Sequence, residues 1–188
     1  MLKRGLLIAL SVIAGSAFAV GTVHARPPEH YSGSESFSFD DCGFQIDAVS
    51  TFSGTFTLKP GRHGDPTPYL MDNYRFNNVY TNPDNGAWFT ISGNGLYKDL
   101  HIVNVSGTVH SFEAIEAGQP VVVRDMNGKV VLRDRGHILS RFSVDTLGDD
   151  NLDNDIFIED SFELVAINGP HPVLEGVDLC QVARDLIG

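Results

Sequence analysis

Apolar and polar residues alternate at every second position along most of this chain, and that alternation limits what it can fold into. The stretch "FSGTFTL" puts Phe52, Phe56 and Leu58 on one side and Ser and Thr residues on the other. A period of two is typical of half-buried β-strands, and about ten such runs follow one another. The sequence therefore predicts an all-β protein.

Short turn sequences separate these runs. "DMNGK" and "TNPDNGA" place Asn-Gly between neighbouring strands, where it supplies the positive φ of tight hairpin turns. Helical spacing is confined to the tail, "LEGVDLCQVARDLI". Because sequential hairpins suit an up-and-down topology, we predict an antiparallel up-and-down barrel, with a two-sheet β-sandwich as the alternative, and a short C-terminal helix.

The first residues have the pattern of a secretory signal peptide. Lys3 and Arg4 precede an uncharged apolar run, which ends in the small-residue cleavage motifs "AFA" and "VHA". This run is short for a membrane span of about 20 residues. We therefore predict a signal peptide over 1–25, a flexible segment over 26–36 ("RPPEHYSGSES"), and a secreted, soluble single β-barrel domain over 37–188, with no membrane association after cleavage.

The charge balance excludes several classes of partner. The chain has 24 Asp and Glu against 13 Lys and Arg, a net charge of −11. An acidic surface repels nucleic acid and anionic membranes, so neither is predicted as a partner. The sequence also lacks the nucleophile elbow, zinc-protease helix, phosphate loop and dinucleotide fingerprint of common enzymes.

The two cysteines, Cys42 and Cys180, predict one disulfide. Both meet an oxidising environment if the chain is exported, and two cysteines allow a single intramolecular bond. A loop of this length gives roughly 4 to 5 kcal/mol of stabilisation in the chain-entropy model. We therefore assign the pair a structural role.

The stretches "YTNPDNGAWFTISG" and "VVRDMNGKVVLRDRGHI" resemble segments of small secreted bacterial β-sheet proteins of unknown function. The resemblance implies export and a β fold. It carries over no active-site residue.

The segment "DTLGDDNLDNDIFIED", residues 145–160, holds seven carboxylates and no basic residue. Asp149, Asn151 and Asp153 have the spacing of the first oxygen ligands of a calcium loop, but Asn154 replaces the usual Gly and the flanks are predicted strands rather than helices. We predict a solvated hairpin connection. No cofactor is expected beyond, at most, weakly bound calcium on Asp149, Asn151, Asp153 and Asp155.

The hairpin "DLHIVNVSGTVHSFEA" supplies the candidate binding residues. A turn at Ser106-Gly107 would place His101, His110 and Phe112 on one mostly apolar face. The leading hypothesis is a secreted binding or interaction barrel that holds a small apolar ligand. The alternatives are a barrel enzyme of the isomerase or lyase type, with His101 or His110 as acid or base, and a structural envelope protein without a pocket.

Overall fold

The computed structural model describes residues 27–61, 67–149 and 154–188, which form one antiparallel sheet and one helix. The elements are β1 (Glu29–Phe39), β2 (Ile46–Lys59), β3 (Tyr69–Thr81), β4 (Trp88–Ser106), β5 (Val109–Arg124), β6 (Val130–Arg133), β7 (Gly136–Asp145), β8 (Ile156–Asn168) and α1 (Leu179–Ile187). The sheet order is β1-β2-β3-β4-β5-β7-β8, and β6 pairs with β5. The all-β class, the antiparallel meander and the short C-terminal helix are confirmed.

β1 and β8 are the two edges of the sheet. In the described ranges, the strand ladder does not join them, so the sheet is open and the choice between barrel and sandwich stays a prediction. β8 also exposes several large apolar side chains: Ile156, Phe157, Phe162, Leu164, Val165 and Ile167. The predicted signal peptide lies outside the described residues.

The segment expected to be flexible contains a strand. β1 begins at Glu29 and pairs with β2 over its whole length, from Glu29 opposite Phe56 to Phe39 opposite Ile46. This corrects the expectation for most of 26–36. The alternation was difficult to recognise in this Ser- and Gly-rich segment, because Gly33 occupies a position on the same face as Tyr31 and Phe37.

The register divides the sheet into two faces, because residues directly opposite each other in an antiparallel ladder point to the same side. We call one side face A. Its members include Tyr31, Ile46, Phe52, Gly54, Phe56, Leu70, Asp72, Tyr74, Phe76, Phe89, Gly95, Tyr97, Asp99, Ile102, Asn104, His110, Phe112, Ala114, Glu116, Val123 and Phe142. The other side, face B, includes Asp47, Trp88, Lys98, His101, Val103, Glu113 and Arg141. Most of the buried strand residues lie on face A.

Helix α1 covers one end of face A. Ala183 and Ile187 of the helix join Ile46, Phe89 and Val123 in a buried cluster that also contains Cys42. The predicted disulfide between Cys42 and Cys180 is confirmed, and it ties the first turn of the helix to this cluster. At the other end of the helix, the amides of Asn82 and Asn85 donate to the carbonyl oxygen of Ile187 at 2.8 and 3.0 Å.

Candidate functional site

Two tyrosines on face A each extend across a glycine to a carboxylate two strands away. Tyr31 on β1 lies over Gly54 on β2, and its hydroxyl donates to Oδ2 of Asp72 on β3 at 2.8 Å. A methyl group at Gly54 would lie 2.3 Å from Cζ and Oη of Tyr31. The glycine is therefore required for the ring to lie flat against the sheet.

The same arrangement repeats further along the sheet. Tyr74 on β3 lies over Gly95 on β4, and its hydroxyl donates to Oε1 of Glu116 on β5. A methyl group at Gly95 would come within 2.9 Å of the Tyr74 hydroxyl. The repetition puts two tyrosine–carboxylate pairs side by side on one face.

A third pair completes the cluster. Tyr97 on β4 donates its hydroxyl to Oδ1 of Asp99, two residues along the same strand, at 2.8 Å. The second oxygen of Asp99 accepts the backbone N–H of Leu70 at 2.7 Å. We call these six side chains the tyrosine–carboxylate cluster: Tyr31, Asp72, Tyr74, Glu116, Tyr97 and Asp99.

The members of the cluster influence one another electrostatically. Burial is the main cause that raises the pKa of Tyr74, and the charges of Glu116 and Asp72 raise it further. Burial, and then Asp99 and Glu116, likewise raise the pKa of Tyr97. The phenols therefore remain protonated donors at neutral pH. Three pairs on neighbouring strands thus act as one polar patch.

Asp72 is the member whose hydrogen bonding is incomplete. The residue is 8% exposed, and its Oδ1 atom is buried with no hydrogen-bond partner. Burial raises the pKa of Asp72, although the hydrogen bond from Tyr31 lowers it. A buried polar atom without a partner costs about 1–3 kcal/mol, so its retention requires an explanation.

Aromatic rings surround the cluster. Tyr31 contacts Phe52 and Phe56 with ring centroids 6.5 and 6.3 Å apart, and Tyr74 stacks on Phe76 at 6.5 Å. Further along face A, the rings of Phe112 and Phe142 stack at 5.5 Å. The surface combines an apolar contact area with a few fixed polar groups, the composition common in small-molecule sites.

The predicted grouping of His101 with His110 is wrong. The turn falls at Gly107-Thr108, one residue later than expected, and a bulge leaves Val105 unpaired in the ladder with β5, so His101 lies opposite Glu113 on face B. His110 and Phe112 share face A. A site shared by the two histidines is therefore excluded, and the enzyme alternative with His101 or His110 as acid or base stays a prediction.

His110 has structural partners of its own. The side-chain amide of Asn104 donates to its Nε2 at 3.1 Å, and its Nδ1 donates to the carbonyl oxygen of Thr108 at 3.2 Å. These bonds favour the tautomer that carries its proton on Nδ1. The binding role expected for His110 and Phe112 stays a prediction.

Part of the predicted calcium segment lies outside the described residues, including Asn151 and Asp153. Asp149 accepts the side-chain amide of Asn154 at 3.0 Å. The Oδ1 atom of Asp155 is buried without a partner, and burial, followed by Asp149 and Asp145, raises its pKa to about 6. In the part of the chain that the structure describes, no three His, Cys, Asp or Glu side chains are grouped to hold a metal ion.

Sequence reasoning missed the tyrosine–carboxylate cluster, although two local signals were present. "DNY" at 72–74 and "YKD" at 97–99 each place a tyrosine and a carboxylate two positions apart in a predicted strand, and hence on one face. It also missed His171, which is fully buried with both ring nitrogens unpartnered and Nδ1 3.9 Å from Asp134. No local pattern predicts that second pair.

Comparisons with protein-family models, with curated proteins and with solved structures gave no match. Among the described residues, no helix has the length and apolar character needed to cross a membrane. The function therefore has to be argued from the side chains themselves.

Proposed function

We propose that this chain is a secreted binding protein that holds a small, partly apolar ligand against the aromatic part of face A. The observation that carries the proposal is the position of the tyrosine–carboxylate cluster among aromatic rings on a single face. Apolar contacts supply the affinity in such sites, and a few placed polar groups orient the ligand. The disulfide between Cys42 and Cys180 is compatible with an extracellular location.

Face A is rich in aromatic rings, whereas face B is rich in charged side chains. Face A carries rings on β1, β2, β3, β4, β5 and β7, among them Tyr31, Phe56 and Phe142. Face B carries the charged side chains Lys98, Glu113 and Arg141, which lie towards solvent. An apolar ligand is therefore expected on face A.

A neutral apolar dye tests this proposal. N-phenyl-1-naphthylamine fluoresces more strongly in apolar surroundings, so titration should give a saturable rise in emission. Phe56→Ala removes a ring directly opposite Asp72 and should weaken binding. Trp88→Ala removes an aromatic side chain from face B, is the matched control, and should leave the dye affinity unchanged.

Two results would count against the proposal. If the dye shows no saturable binding to the folded protein, the structural envelope alternative is favoured. If Trp88→Ala weakens binding as much as Phe56→Ala does, the dye is not bound on face A.

A further inference from the structure

We infer that the tyrosine–carboxylate cluster recognises the cationic group of the ligand, an organic ammonium or guanidinium, and that the Asp72 carboxylate is its anchor. This inference rests on the proposed function, because it assigns the ligand class of the same face. It follows from three independent features: the unpartnered oxygen of Asp72, the charge of face A and the rings around the cluster.

The Oδ1 atom of Asp72 is the point where a partner is missing. Tyr31 occupies Oδ2, while Oδ1 is buried without any hydrogen bond. By contrast, both oxygens of Asp99 are occupied, by Tyr97 and by the Leu70 N–H. Asp72 is therefore the carboxylate of the cluster with a buried oxygen that accepts no hydrogen bond, and a cationic N–H donor would make the stronger, charge-assisted type of bond there.

Face A supplies negative charge without a matching cation. The described strands carry the cluster carboxylates Asp72, Asp99 and Glu116 on this face, together with Glu29 and Glu35 of β1. Their Lys and Arg side chains all fall on face B. Each of the three cluster carboxylates accepts a hydrogen bond from a tyrosine hydroxyl, which is neutral. Because burying an unpaired charge is costly, a cationic ligand would offset a penalty that the folded chain carries alone.

The spacing of the carboxylates suits an organic cation. Asp72, Tyr97 and Glu116 lie directly opposite one another on β3, β4 and β5. Neighbouring strands are about 4.8 Å apart, so the two carboxylates start from backbones about 10 Å apart with a phenol between them. A metal ion needs several oxygens within about 2.6 Å, whereas an extended amine contacts one carboxylate and lays its chain along the rings.

The rings add a second attraction for a cation. Phe56 lies directly opposite Asp72 in the sheet. The centroid of the Tyr31 ring lies 6.5 Å from that of Phe52 and 6.3 Å from that of Phe56. Cations are attracted to the faces of aromatic rings, more strongly where water is excluded. A ligand that combines a cationic head with an apolar body would use both features.

Three probes with the same ring system test the charge preference by calorimetry: 1-naphthylmethylammonium, 1-naphthylmethanol and 1-naphthoate. We expect the ammonium to bind about tenfold or more tighter than the alcohol, and the carboxylate to bind worst. Asp72→Asn should bring the ammonium and the alcohol to similar affinities. Asp47→Asn, on face B, is the matched control and should preserve the difference.

A second measurement keeps the test independent of how well Asp72→Asn folds. In the unaltered protein, ammonium binding should weaken as the pH falls and Asp72 becomes protonated, while alcohol binding stays constant.

The outcomes separate the two proposals. If none of the probes binds, the proposed function fails. If the alcohol binds and the ammonium binds no tighter, the binding function stands but the cation inference is overturned, and a bridging water is the partner of Asp72 Oδ1.

Discussion

Tyr31 on an edge strand and Asp72 two strands away are joined by a 2.8 Å hydrogen bond that passes over Gly54. The bond connects the edge strand β1 directly to β3, across β2. The Tyr31 ring fills the space that a side chain at Gly54 would need. The relationship therefore links the stability of the sheet to the proposed binding cluster.

Gly54→Ala should destabilise the protein by about 1–3 kcal/mol, the usual cost of overpacking. The new methyl group would lie 2.3 Å from the Tyr31 ring, so the ring must leave its position. Urea unfolding measures the effect. In a Tyr31→Ala background the same substitution should cost much less; equal costs in both backgrounds would show that the ring is not the obstacle.

The sequence was sufficient for the fold class because each signal was local. Alternation within one strand and Asn-Gly between strands need no knowledge of distant residues, and two cysteines allow one pairing. The Tyr31–Asp72 and Tyr74–Glu116 pairs, in contrast, join residues about forty positions apart. Their partners depend on the register of three strands at once, which a single sequence does not fix.

The histidine hairpin shows how small the decisive detail is. Bulges in β4 leave Leu100 and Val105 without partners, and the turn moves by one residue. An extra residue in one strand turns the following side chains to the other face. His101 therefore lies on face B, whereas His110 lies on face A. Turn sequence alone did not reveal these bulges.

Replacing both cysteines, as Cys42→Ser and Cys180→Ser, should lower the free energy of unfolding by about 2–5 kcal/mol. The bond closes a loop of 138 residues and holds α1 on the buried cluster around Ile187. Chemical denaturation with and without a reducing agent measures the loss. The reducing agent should destabilise the unaltered protein and leave the double variant unchanged; equal stability of the two proteins would contradict the expectation.

The two buried histidines should respond differently to replacement by phenylalanine. His171 makes no hydrogen bond through either ring nitrogen, so His171→Phe should change stability by less than about 1 kcal/mol. His110→Phe removes an acceptor for Asn104 and a donor for Thr108, and should cost about 1–3 kcal/mol. Thermal unfolding of both variants decides the matter. A larger loss for His171→Phe would mean that its 3.9 Å approach to Asp134 is an ion pair that stabilises the fold.

Asp155 should make the protein more stable in mild acid than at neutral pH. Burial and the nearby Asp149 and Asp145 raise its pKa from 3.8 to about 6. Between these two values, the folded state binds more protons than the unfolded state, so the free energy of unfolding falls as the pH rises through this window. Since burial also raises the pKa of Asp72 and Asp99, the total effect has several sources.

The contribution of Asp155 is isolated by comparing Asp155→Asn with the unaltered protein. The variant should melt at a higher temperature above pH 6, and its advantage should disappear near pH 4, where Asp155 is protonated. Asp145→Asn is the control of opposite sign. Hydrogen bonds from Thr108 and from the Leu147 N–H lower the pKa of Asp145, so its carboxylate stabilises the fold above pH 4 and this variant should melt lower there. If both variants shift the melting temperature in the same direction at pH 7, the folded state does not destabilise the Asp155 carboxylate while stabilising that of Asp145.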